Sequence, residues 1–170
     1  MAKRKAPLKK SKVSFSDIKK KFSTRVKYKE DAYLDLGEAF QKACGIPGPA
    51  EGHVNMLLGH SDTGKTTALV KAGAIAQSKG KLPVFIITEQ KWSFEHAKLL
   101  GLQCEKQVDE ATGEVYWDGL FIDKLGFDYV EQVFDYMNSM LDEQANGNIP
   151  YDLVFCVDSI GSIPCEMSFN

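Results

Sequence analysis

The spacing of apolar and polar residues changes several times along the chain, and each change predicts an element. Phe15, Ile18 and Phe22 recur at helical spacing around Ser16, whereas "RVKYKE" (25–30) alternates Val26 and Tyr28 with charge as a strand does. "DAYLDLGEAFQKACG" (31–45) predicts a helix with Leu36, Ala39, Phe40 and Ala43 on one side, stopped by Gly45 and by Pro47. "HVNMLL" then runs apolar into Gly59 as a buried strand would, and the alanine-rich "KTTALVKAGAIAQSKG" predicts a helix ending at Gly80. "LPVFIITE" reads as a strand buried in a parallel sheet, "SFEHAKLLG" as a short helix, and "KQVDEATGEVYWDGLFID" as two strands about a turn at Ala111-Thr112-Gly113. From Phe127 to Gln144 one stripe holds Phe127, Val130, Val133, Phe134, Met137, Met140 and Leu141, with acids elsewhere, so a helix covers a sheet face. "LVFCVD" (153–158) predicts a last buried strand.

Strands alternating with helices place the chain in the α/β class: an open, mostly parallel sheet with flanking helices and, ahead of it, an extended N-terminal arm. Ligands of such sheets sit beyond the carboxyl ends of the strands, where Gly59, Glu89 and Asp158 all fall.

Length and charge refine this layout. At 170 residues, 44% apolar, the chain has room for one core plus an arm. The formal charge of −2 conceals an asymmetry, since residues 1–30 carry twelve bases against two acids and residues 31–170 carry nine bases against 21 acids. The expected domains are therefore a basic arm (1–30), with a flexible leader, and a core (31–170). The four cysteines contain no C-x-x-C pair, so a disulfide framework or zinc site is not expected. No apolar stretch has membrane-spanning length and the basic N-terminus lacks a signal-peptide apolar segment, so a cytoplasmic location is expected and no membrane partner.

The chemistry concentrates in "GHSDTGKTT" (59–67), which fits G-x-x-x-x-G-K-[ST] through Gly59, Gly64, Lys65 and Thr66. In such a loop the backbone N–H groups of His60, Ser61, Asp62, Thr63, Gly64, Lys65, Thr66 and Thr67 converge on a polyphosphate, helped by the positive end of the following helix. Lys65 is expected on the β and γ phosphates of ATP and the Thr66 hydroxyl on Mg²⁺. Asp158, delivered to the sheet edge by "LVFCV", reads as a Walker B carboxylate that holds Mg²⁺ through its water shell; the bland alternative is a strand-end acid capping a turn. Glu89, after "FIIT", is the candidate to orient or deprotonate the attacking water, against an alternative role as an acid stabilised by a helix dipole. Trp92, Phe94 and His96 read either as adenine-stacking or as core, and core is the better reading for any one of them.

The succession "LDLGEAFQKACGIPGPAEGHVNMLLGHSDTGKTTALVKAGAIAQSKGK", "FIITE", "HAKLLGL" and "LVFCVDSIGS" resembles the RecA recombinase family, in particular its phage UvsX-like members, over about residues 32–163. The resemblance implies an ATP-dependent DNA recombinase that forms a filament on single-stranded DNA, with Lys65 and Glu89 catalytic and Thr66 and Asp158 on the metal. It implies self-assembly through the N-terminal arm, with contact of its twelve basic residues to DNA phosphates as the alternative, and a core continuing past Asp158 into further strands and DNA loops, so that these 170 residues are expected to be its N-terminal half. Two other readings stay open: a short module that binds nucleotide or a recombinase without turnover, and a hexameric ATPase of the DnaB or KaiC kind.

Overall fold

A computed structural model describes residues 14–22, 32–89 and 92–166. The chain divides into two units, Met1–Glu30 and Asp31–Asn170. In the first, helix α1 spans Phe15–Phe22; the basic leader and the strand expected at 25–30 lie outside the described residues.

In the second unit, the helix expected over 31–45 is shorter, because Gly37 adopts φ 97° and starts it late. Helix α2 covers Glu38–Cys44 and ends, as expected, on left-handed Gly45. Leu34 and Leu36 instead lie in an extended segment whose N–H groups donate to Pro49 O (3.0 Å) and Pro47 O (2.9 Å). Gly48 permits this approach, since a Cβ there would stand 1.8 Å from the Leu34 carbonyl oxygen.

Helix α3 (Lys65–Ser78), strand β1 (Leu82–Ile87), helix α4 (Phe94–Leu99), helix α5 (Val130–Ala145) and strand β5 (Leu153–Asp158) match the sequence pattern closely. Between α4 and α5 the hairpin pairs β2 (Glu105–Val108) with β3 (Val115–Asp118). The reading of residues 106–122 as two strands needs correction, because Ile122–Lys124 leaves the hairpin and forms β4 of the main sheet. That sheet is parallel, in the order β4-β1-β5, with helices on its faces.

β1 is central and wholly buried, and its alternating side chains feed two cores. Phe85 and Ile87 meet Val70 and Ala74 of α3, Ala97 of α4 and Phe121, while Leu82, Val84 and Ile86 meet Val133 and Met140 of α5. Each such side chain contributes about 1.5–3 kcal/mol by leaving water. Gly73 of α3 lets the helix sit down on β1, since a Cβ there would come within 2.5 Å of the Phe85 ring. Buried Gln77 is fully used, donating to Gln103 O and Leu120 O and accepting from Gln103 N–H. None of the four cysteines forms a disulfide. Burial pushes the Cys156 thiol up to about 12, which makes it a packing group.

The second correction concerns "HVNMLL". Residues 54–60 form no strand, and Val54, Met56 and Leu58 are 98%, 70% and 85% exposed. The Asn55 side chain supplies a local reason: it accepts from Ala50 N–H and donates to Ala50 O and His53 O, folding the run back on its own approach.

Glu51 fastens that approach to the core, meeting Lys79 and Lys81 at 3.1 Å each, while Lys81 also reaches Asp152. The hydrogen bond from Lys81, then that from Lys79, hold the Glu51 carboxyl below its ordinary 4.5. A depressed carboxylate stabilises the fold above its unfolded value and loses that contribution as pH falls through the folded one. Glu51→Gln is therefore expected to lower the melting temperature at pH 7, and the gap to the parent should close as pH drops below 4.5. A gap independent of pH would deny the ion pairs this role.

Candidate nucleotide-phosphate site

Helix α3 begins directly on the glycine loop. Gly64 enters it with φ 86° and Asp62 has φ 61°, two left-handed turns that curl the backbone back ahead of Lys65. The Thr63 hydroxyl donates to His60 O at 2.8 Å, and a Cβ on Gly59 would come within 2.8 Å of that hydroxyl. The first intrahelical bond runs from Ala68 N–H to Gly64 O, and no side chain caps the helix start. The N–H groups of Lys65, Thr66 and Thr67 therefore lack intrahelical acceptors at the positive end of a 14-residue helix, which suits an anionic ligand.

Lys65 folds back over the loop, its ammonium donating to Gly59 O (3.0 Å) and His60 O (2.6 Å). Across the loop, the Thr66 hydroxyl donates to Asp158 Oδ2 at 2.7 Å. The Ser159 hydroxyl donates to Glu89 Oε1 at 2.8 Å. The ends of β1 and β5 thus stand beside the start of α3 around one cleft of about 160 Å³, lined by Ser61, Asp62, Lys65, Thr66, Ile87, Glu89, Trp92, Asp158 and Ser159.

The sequence reading named Ser61, Asp62, Lys65, Thr66, Glu89 and Asp158, and these line the cleft together; Gly59, His60, Thr63, Gly64 and Thr67 shape the loop without lining it. Thr66 and Asp158 offer hard oxygen donors, and a Mg²⁺ site of one carboxylate, one hydroxyl, phosphate oxygens and water is of the ordinary kind. Of the aromatic residues, Trp92 packs on Phe85 (5.0 Å between rings) while also lining the cleft, and Phe94 stacks on Trp117 in the core. His96 is an exposed residue of α4 and does not line the cleft. Sequence reasoning missed the contact of Ser159 with Glu89. Its available signal was the hydroxyl residue directly following the strand-end acid.

The fold is α/β, a parallel sheet flanked by helices, consistent with a RecA-like core. Over 78 residues the chain is 35% identical to Protein RecA of Desulforapulum autotrophicum and to Protein RecA of Francisella philomiragia; the match takes in 45% of this chain and 22% of each relative. It supports a relation to the RecA family. The chain thus aligns with less than a quarter of the length of these relatives. No family model matches, and no solved structure matches. Among the described residues no helix is long and apolar enough to cross a membrane.

Proposed function

We propose that this chain is the ATP-binding part of a RecA-type recombinase, of the phage UvsX-like kind, which hydrolyses ATP while assembled on single-stranded DNA. The observation that carries the reading is the meeting of Lys65, Thr66, Glu89 and Asp158 around one cleft at the start of α3. Residues 59–67 bind the polyphosphate. Lys65 exchanges the carbonyl oxygens of Gly59 and His60 for anionic phosphate oxygens, a stronger acceptor for the same ammonium. Thr66 and Asp158 hold Mg²⁺, which when bound neutralises phosphate charge. Glu89 orients the attacking water and accepts its proton. The arm at 1–30, with its ten-charge excess of bases, joins neighbouring copies, and the core at 31–170 carries the nucleotide.

Lys65→Ala tests the reading directly. A charge-assisted hydrogen bond contributes about 1.5–3 kcal/mol, so calorimetry is expected to find MgATP bound roughly ten- to a hundredfold more weakly. Unchanged affinity would remove the loop from nucleotide binding and overturn the proposal.

A further inference from the structure

A second set of hydroxyls ties the ends of β1 and β5 together. Thr88 N–H donates to Asp158 O at 2.9 Å, and the Thr88 hydroxyl donates to Ser159 O at 2.6 Å. The Ser162 hydroxyl, in the 3-10 turn Ile160–Ser162, donates to the same carbonyl at 2.7 Å and also contacts the Thr88 hydroxyl. The Ser159 carbonyl therefore accepts from two adjacent hydroxyls, while its own hydroxyl reaches Glu89 Oε1 at 2.8 Å. The chain beyond the turn is anchored as well. Val130 N–H donates to Pro164 O, and the Cys165 thiol and Glu166 N–H donate to the Glu131 carboxylate in the first turn of α5.

A glutamate at an exposed strand end samples many rotamers, and freezing it in one costs entropy unless a contact selects that rotamer. Ser159 supplies such a contact. It engages one carboxylate oxygen and leaves Oε2, which accepts no hydrogen bond from the described residues, for a water.

We propose that Ser159 is the positioning residue for Glu89, holding its carboxylate in the orientation that hydrolysis needs, with Thr88 and Ser162 fixing Ser159 in turn. The inference rests on Glu89 acting as base in the proposed function. It assigns the serine a role in turnover and none in nucleotide affinity.

The test is ATP hydrolysis by the complete protein carrying Ser159→Ala, Ser159→Thr, Glu89→Gln and the double variant Ser159→Ala/Glu89→Gln. Ser159→Ala is expected to lower kcat by about tenfold with KM unchanged, and Ser159→Thr, which keeps the hydroxyl, to restore most of it. The double variant should be no slower than Glu89→Gln alone, because a residue that acts only by orienting the Glu89 base has no base left to orient. Wild-type kcat in Ser159→Ala overturns the proposal, as does an equal further loss in the Glu89→Gln background, which marks a merely structural serine. If Ser159→Ala does not fold, Thr88→Val, which unpins the Ser159 carbonyl, takes its place with the same expected dependence on Glu89. A Glu89→Gln variant that hydrolyses ATP at the wild-type rate would instead overturn the reading of Glu89 itself, whatever Ser159→Ala does.

Discussion

Glu89→Gln is expected to bind MgATP as the parent does and to turn it over ~10²-fold or more slowly, the scale of lost acid–base assistance. The substitution keeps the length and shape of the side chain and an oxygen able to accept from Ser159, while removing its capacity to take a proton. Glu89 lines the cleft two residues past the end of β1 and lies outside the 59–67 loop, so on the proposed reading binding and chemistry should separate in this variant. Single-turnover hydrolysis and calorimetry on the same preparation read the two quantities independently. Equal rates in variant and parent would return Glu89 to a strand-end carboxylate stabilised by local dipoles.

What the sequence made legible was local. The glycine loop, α3, β1 and β5 each carry their own signal: a fixed residue spacing, an alanine-rich helix, or a β-branched apolar run closed by an acid. The misreadings came where a neighbour distant in sequence decides. Apolar "HVNMLL" looks like a buried strand, yet a strand needs a partner ladder, and Asn55 takes up the local backbone groups instead. Ile122–Lys124 looks like the continuation of a hairpin, but Gly119, where a Cβ would come within 2.5 Å of Gln103 O, allows a close pass that breaks the hairpin and hands the next residues to β1. The candidate site divides in the same way. Residues 59–67 are contiguous and could be named from spacing, whereas Thr66 bonds Asp158 across 92 positions and Ser159 bonds Glu89 across 70. The acids were found because each ends an apolar strand; the serine stood in the sequence reading only as part of "LVFCVDSIGS", and its bond to Glu89 was found through the fold.

The exposed run at 54–58 is expected to make the 170-residue chain associate with itself, and the combined change Val54→Thr, Met56→Gln, Leu58→Gln is expected to abolish most of that association. Two needs meet here. The three side chains are more than two-thirds exposed, and β5, as the last strand of the sheet, offers backbone N–H and C=O groups on its outer edge with no strand among the described residues beside them. A second copy can meet both needs by adding a strand, the ordinary fate of a long unprotected edge. At the low end of about 1.5 kcal/mol for each buried apolar side chain, losing three weakens an association constant by roughly 10³-fold. None of these side chains lies in the two cores that pack on β1, so the variant should retain its melting temperature. Sedimentation velocity over a range of concentrations decides the matter. A parent chain that stays monomeric throughout, or a triple variant that associates as strongly as the parent, would show that the exposed run does not drive assembly.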